Sequence, residues 1–272
     1  VTVAVPTPSE LRSHLVRGRI AGDVATTREN NLRHYRLMSE RHPGHLFGLE
    51  PDGRWTADDV LALMVRRCGV VADPAHRSGQ DTIDPDLTVA ALDAYADRIA
   101  LAAERRERVI VATGHPNGLG DWYRTLARVL REAGCTLLRP AAGWSYRTPT
   151  AEGGQGRAIR YRDDVAMVVD DAGDFRHTHS ARGIRAMLAE LAAGSEPLPD
   201  LLIGDHGWAG GAGQAGVAAI GLADCNDPAL FVAAEEGRVE VVVPLDDNVA
   251  PHLYEPVMAY LLDRSGLSGI DR

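Results

Sequence analysis

Residues 108–140 read RVIVATGHPNGLGDWYRTLARVLREAGCTLLRP. RVIVA (108–112) has the length and apolar content of a buried strand, and the loop TGHPNGLG breaks it with glycine and proline. DWYRTLARVLREAG then carries apolar residues at helical spacing and stops at Gly134, and CTLLRP (135–140) supplies the next strand. This is a βαβ unit, the building block of a parallel sheet. Further on, VAMVV (165–169), a turn at Asp171 to Gly173, a helix from Ser180 to Ala193, DLLIG (200–204), AAIGL (218–222) and VEVVV (239–243) continue the same grammar. The span from Gly143 to Arg162, holding Gly153, Gly154 and Gly156, reads as a mobile loop or lid.

Upstream, the first 107 residues carry helix signals and few strand signals. Ser9 is placed to cap a helix from about Glu10 to Ile20, and Thr26 or Thr27 another through Leu37. Thr56 precedes DDVLALMVRRCG, with acids at its start and arginines at its end. Leu87, Ala91, Leu92, Tyr95, Ile99 and Ala102 share one helical face. The expected fold class is therefore α/β, a Rossmann-like, mostly parallel sheet over residues 108–272. A helical cap region, residues 1–107, is expected to pack on its carboxyl edge.

Composition narrows the chemistry. The 272 residues carry a formal charge of −9, and every one of the 29 basic residues is arginine. Without lysine there is no Walker A lysine, no Schiff base and no Ser-Lys dyad. The acidic balance argues against nucleic acid and anionic membranes as partners, and no apolar run is long enough to span a bilayer. Cys68, Cys135 and Cys225 are odd in number and form no CxxC pair, and VTVAVPTPSELRSHL lacks the apolar core of a signal peptide. A reduced, cytoplasmic protein is expected. The sequence leaves the oligomeric state open.

In open parallel sheets ligands bind beyond the carboxyl ends of the strands, and the polar clusters of this chain sit there. After RVIVA come Thr113, Gly114, His115 and Asn117, in a loop leading to a helix N-terminus that suits an anion such as phosphate. That loop lacks GxGxxG, which disfavours a nicotinamide cofactor; a plain βα turn with an incidental histidine is the competing reading. After DLLIG come Asp205 and His206, with Gly210, Gly211 and Gly213 allowing close backbone approach to a ligand or simply shaping a loop. Asp224 and Asp227 flank Asn226 and offer oxygen donors for a hard cation such as Mg2+, or else Asp227-Pro228 is a helix cap.

Asp246 and Asp247 are expected to support the site from outside or to cap the last helix. His177 and His179 point the same way from an extended segment, toward a metal or phosphate or into solvent. Arg182 and Arg185 open the following helix, where an anion would offset their conflict with its dipole. In the helical half, Asp23, Arg28 and Asn31 belong to a polar stretch that reads as capping or as a substrate-facing edge.

The set GDVATTRENN, DTIDP, ATGHPNG, HTHS, DHGWAGGAGQAG, ADCNDPALF and PLDDNV, spread from residue 22 to 248, resembles a bacterial family called simply phosphatases. The resemblance implies hydrolysis of a phosphate ester on a small substrate. In topology the chain also looks like the metal-dependent carbohydrate phosphatases of the DUF89 type, without their Asp-Asn-x-Gly-Glu signature. Nucleophile motifs of two other phosphatase classes are absent: there is no Cys-x5-Arg loop and no Arg-His-Gly.

By elimination the expected mechanism is metal-activated water acting on a sugar or nucleoside phosphate. Asp205, Asp224 and Asp227 are the expected ligands, and the cofactor is a divalent cation, Mg2+ first, with Mn2+ or Zn2+ as alternatives. His115, His179, Asp205 and His206 are the expected catalytic groups. Thr113, Gly114, Asn117, Arg182, Asp23, Arg28 and Asn31 are the expected substrate contacts. The alternative is a non-catalytic protein that binds a phosphorylated metabolite. Either way, His115, His179, Asp205, His206 and Asp224 should surround one pocket.

Overall fold

The computed structural model describes residues 4–149 and 154–269. Helix α1 (Pro8–Arg17) is capped by Thr7, two residues ahead of the expected Ser9, because Thr7 and Glu10 form a reciprocal capping box with Pro8 at the first helical position. Strand β1 (Gly22–Thr27) follows, and Thr27 caps α2 (Arg28–Ser39). Thr56 caps α3 (Ala57–Cys68) with Asp59, and Gly69 ends that helix at φ 77°. Strand β2 (Gln80–Ile83) pairs antiparallel with β1 before Asp84 caps α4 (Pro85–Arg105).

The helical half thus contains a two-stranded ribbon that the sequence reading does not anticipate. Its strands are short and polar, with Val24 buried in one and Asp81 and Ile83 in the other, so little hydrophobic alternation announces them.

The large sheet starts at β3 (Arg108–Ala112). Then come α5 (Gly120–Glu132), β4 (Thr136–Leu137), β5 (Ser145–Thr148), β6 (Gln155–Arg162), β7 (Val165–Val169), β8 (Phe175–Arg176) and α6 (Arg182–Ala193). The chain continues through β9 (Leu201–Asp205), α7 (His206–Gln214), β10 (Ala219–Ala223), α8 (Pro228–Glu235), β11 (Val241–Pro244) and α9 (Glu255–Arg264). The spatial order is β11-β10-β9-β3-β7-β6-β5, with β4 and β8 paired to β3 and β7. Strands β11, β10, β9, β3 and β7 run parallel, β4 runs parallel beside the start of β3, and β5, β6 and β8 add antiparallel pairs at the far side.

The expected α/β class with a mostly parallel sheet holds. The span expected as a lid instead places β5 and β6 as a hairpin on that sheet; Gly153 lies outside the described residues, while Gly154 and Gly156 lie at the hairpin. The alternation of SYRT with QGRAIRYR supplies two strand faces, and the glycines do not outweigh it.

Strands β7, β9 and β10 are buried at every position, as expected for strands covered on both faces. One hydrophobic cluster runs from Leu11 through these strands to Leu267, and α4 packs along β11. Helix α7 is buried from His206 to Gly213. Its glycines serve this packing and not the approach of a ligand: a Cβ on Gly207 would lie 2.4 Å from the His179 carbonyl oxygen, on Gly210 2.4 Å from that of Phe47, and on Gly213 2.5 Å from that of Arg238. Gly210→Ala should therefore lower unfolding free energy by about 1–3 kcal/mol, the usual range for overpacking. Chemical denaturation measures this, and parental stability would show that the Phe47 segment moves aside freely.

Candidate active site

Four parallel strands deliver their carboxyl ends to one place. Beyond β3, Thr113 keeps its N–H in the ladder by donating to the Ala166 carbonyl, and its hydroxyl donates to Asp205 at 2.6 Å. The Gly114 N–H donates to the other Asp205 oxygen, and the Gly114 carbonyl accepts from the Thr178 N–H, which docks the His177–Ser180 segment on this loop. Gly114 has to be glycine here, because a Cβ would lie 2.3 Å from the Thr178 carbonyl oxygen.

Beyond β9, Asp205 is fully buried, and His206 takes φ 42°, a left-handed conformation uncommon for a residue with a Cβ. Beyond β10, Asp224 accepts from the Cys225 N–H and from the Thr26 hydroxyl at 2.5 Å. Asp227 occupies the N-cap position of α8 but makes no side-chain cap; its carboxylate lies 3.1 Å from His206 Nε2. Beyond β11, Asp246 accepts from the N–H groups of Ala25 and Asn248, and Asp247 Oδ2 lies 3.4 Å from His115 Nδ1 and 3.7 Å from His206 Nε2.

These groups enclose a cavity of about 250 Å³ lined by His34, His115, His177, His179 and His206, by Asp224, Asp227 and Asp247, and by Thr26, Asn226 and Asn248. The His179 ring stacks on His206 at 4.5 Å, and the His115 ring sits 4.5 Å from His206 and 4.0 Å from His177. Among the described residues, none lining this cavity is an arginine. His115 Nδ1, His206 Nδ1 and Asp247 Oδ2 are buried and make no hydrogen bond. Three groups bring one donor atom from each member within 4.8 Å of one another: His115, His177 and His206; His179, His206 and Asp227; and Asp224, Asp246 and Asp247.

The electrostatics follow from burial and crowding. Burial opposes a charge on His206, but Asp227 and Asp205 outweigh it and hold its pKa well above the usual value. Burial and the charge of His206 press His115 and His179 down to about 3 and also lower His177. Burial raises Asp224 to about 7, with Asp246 adding to the effect, and pushes Asp247 well up. Asp227 resists burial because of the imidazolium beside it and stays at about 2.

The structure brings His115, His179, His206, Asp224 and Asp227 to the cavity wall, with Asp205 immediately behind His206 at 3.3 Å from its Nδ1. It does not bring the expected substrate contacts there. Thr113 and Gly114 are committed to Asp205, and Asn117 and Asp23 are exposed outside the cavity wall. Arg182 donates to the Arg147 carbonyl and lies over the Tyr146 ring at 5.3 Å, beside a separate cleft; Arg185 donates to the Gly48 carbonyl. Carbonyl oxygens thus accept from both arginines at the start of α6.

Arg28 and Asn31 are fully buried on Asp81, at 3.0 and 2.9 Å, and Arg28 also donates to the carbonyls of His76 and Asp73. Theirs is a structural network. Sequence reasoning in turn underrates Asp246 and Asp247, which are buried and do not cap the last helix, and omits His34, while Thr26, read as a cap or part of a substrate-facing polar edge, lines the cavity. The signal for the aspartates is their place after a fully apolar strand. His34 lies one helical turn beyond Asn30 on α2, and no spacing rule singles it out.

The fold and cavity define an α/β protein with a histidine- and aspartate-lined site at the carboxyl ends of parallel strands. The family model described as Phosphatase matches residues 6–269, and the chain belongs to that family. Phosphatase SCO2771 of Streptomyces coelicolor (strain ATCC BAA-471 / A3(2) / M145) is 50% identical over 264 residues, spanning 96% of this chain and 97% of that protein. Family and relative together support a phosphatase, and hence a hydrolase, activity.

Two outcomes follow from this geometry. Arg28→Ala should destabilise the fold by about 3–5 kcal/mol, because it strands a buried Asp81 carboxylate. Activity per folded molecule should persist at low temperature, and a stable but inactive variant would return Arg28 to the site.

The second outcome concerns pH. In chelator-treated protein, the three lowered histidines favour the fold increasingly as pH rises, but only up to their free value near 6.5. The raised Asp224 contributes stability that is complete below 3.8 and lost by about pH 7. From 6.5 upward the raised His206 governs, since its proton is held by the fold and not by the unfolded chain. Thermal stability should fall between pH 6.5 and 8, and a melting temperature that climbs across that window would contradict this reading.

Proposed function

We propose that this protein hydrolyses the phosphomonoester of a small sugar phosphate or nucleoside phosphate with the help of a divalent cation. One observation carries the reading. A phosphatase site has to receive a dianion, yet this cavity is walled by Asp224, Asp227 and Asp247 with no arginine among its lining residues. At 4 Å two like charges repel by roughly 4 kcal/mol even at an effective dielectric of 20. A cation held by those carboxylates removes the conflict. The unpartnered Asp247 Oδ2 and His115 Nδ1, buried and turned to the same cavity, fit this role.

His179, His206 and Asp227 are the residues that would hold the cation, and Mg2+, Mn2+ and Zn2+ all suit a mixed nitrogen and oxygen set to different degrees. When bound, such an ion lowers the pKa of water and draws charge from phosphoryl oxygens. Asp205 is assigned to positioning. Its oxygens receive Thr113 and Gly114, and it stands behind His206, the arrangement in which an outer carboxylate fixes an imidazole for its task.

His115 and His177 remain neutral beside the cavity. His34 meets the Asn226 carbonyl through Nδ1, and a carbonyl accepts, so Nδ1 carries the hydrogen and Nε2 is the basic atom. The division into a helical cap, residues 1–107, and a Rossmann-like catalytic part, residues 108–272, belongs to the same proposal. So do a cytoplasmic location and the absence of nucleic acid among the partners. Among the described residues no helix is long and apolar enough to cross a membrane.

Phosphate release from a panel of sugar phosphates and nucleoside monophosphates, by chelator-treated protein with and without each cation, tests this. Turnover should vanish without metal and return with it. Asp227→Asn should abolish both metal binding and turnover, whereas Asp205→Asn should weaken metal affinity by about 10–100-fold, the usual effect of losing an outer partner. Undiminished turnover in metal-free protein would rule out the cation, and tight binding of phosphorylated metabolites without turnover would favour a binding protein.

A further inference from the structure

The three groups of potential ligands are not chemically alike. His179, His206 and Asp227 offer two imidazoles and a carboxylate, and His115 with His177 brings two more imidazoles around the same His206. Asp224, Asp246 and Asp247 offer oxygen alone. Nitrogen-rich sets suit borderline transition cations such as Zn2+, Mn2+ or Fe2+, and all-carboxylate sets suit hard cations such as Mg2+ or Mn2+.

The two sets meet at Asp247. Its Oδ2 is 3.4 Å from His115 Nδ1 and 3.7 Å from His206 Nε2, while the same residue belongs to the all-oxygen trio. Asp224 and Asp246 are already oriented by hydrogen bonds from Thr26, Cys225, Ala25 and Asn248, which leaves each oxygen a lone pair. Asp247 Oδ2 has no such partner, although the residue is only 4% exposed. That oxygen faces two imidazole nitrogens without hydrogen-bonding to either, a setting that a bound cation would complete.

Charge balance points the same way. Asp205, Asp224, Asp227, Asp246 and Asp247 are five buried carboxylates clustered at these strand ends, faced by imidazoles and by no arginine along the cavity wall. One divalent ion and a phosphate dianion cancel each other and leave these carboxylates with His206 as their one positive neighbour on the cavity wall. A second cation supplies the missing charge.

We propose that the cavity holds two divalent cations of different class, a transition cation on His179, His206 and Asp227 and a hard cation on Asp224, Asp246 and Asp247, with Asp247 shared between them. This rests on the cation-assisted reading above and deepens it by assigning the number and kind of ions.

The test uses the full chain, stripped with a chelator and titrated with Mn2+ alone, which both donor sets accept. Bound Mn2+ is counted by equilibrium dialysis with elemental analysis, and its electron paramagnetic resonance spectrum is recorded. Two Mn2+ per chain with a spin-coupled spectrum are expected, and excess Mg2+ should displace one of them. His179→Ala and Asp246→Asn should each leave a single, uncoupled Mn2+. Asp247→Asn should remove the coupling and weaken the second ion at least tenfold.

The wild-type count decides the matter even if a variant fails to fold. A single Mn2+ at saturation overturns the second site and leaves one-cation phosphate hydrolysis standing. Two uncoupled ions overturn the shared role of Asp247. No bound Mn2+ with continued phosphate release overturns both this inference and the reading it rests on.

Discussion

An imidazolium surrounded by carboxylates is the interaction on which this structure turns. His206, 2% exposed, stands 3.3 Å from Asp205, 3.1 Å from Asp227 and 3.7 Å from Asp247, so three strand ends address one ring. Burying that many acids is costly unless positive charge lies among them. His206 supplies it, and the fold is arranged to keep the ring there. Its own backbone is left-handed, and Gly207 lets α7 press against the His179–Ala181 backbone that brings the stacked His179 ring. Thr113 and Gly114 in turn fix Asp205.

A second buried charge pair has a different task. Arg28 and Asp81, both fully buried, join the start of α2 to the segment before α4, and Asn31 links Asp81 to Cys225, next to Asp224. The Thr26 hydroxyl on Asp224 and the Ala25 N–H on Asp246 extend the connection from β1. The amino-terminal half therefore braces two of the three acidic loops. A buried ion pair is weak evidence of net stability, but breaking one half of it is expensive. In this place it fixes the register between the β1–α2 corner and the strand ends.

Much of this was legible in the sequence, for reasons that differ by element. Strands β3, β9, β10 and β11 were located to within two residues because parallel strands covered on both faces read as unbroken apolar runs. The convergence of His115, His206, Asp224 and Asp227 follows from the rule that such strands share a carboxyl edge, whereas His179 arrives on the segment after β8 that the Gly114 carbonyl docks. The hairpin of β5 and β6 was not legible, since its alternation is carried by arginine and tyrosine amid glycine.

Arg28 misled because its partner lies 53 positions away, and sequence alone does not separate a buried ion pair from a substrate contact. The glycines of α7 misled for a related reason: what a missing side chain makes room for is a tertiary fact. Asp247 was undervalued because adjacent acids are usually solvated. Its burial depends on neighbouring loops that no local pattern reveals.

The distribution of arginine supports one further step. All 29 basic residues are arginines, yet among the described residues none lines the cavity where acids are most crowded. A guanidinium is permanently charged and would remain on those carboxylates whatever else approached. Imidazole differs, because it can surrender a proton when a stronger positive charge arrives. On the proposed reading, the proton that Asp227 and Asp205 hold on His206 occupies the electrostatic place of a cation and leaves as the cation binds. Positive charge in this site is thus exchangeable, which a site built on arginine would not allow.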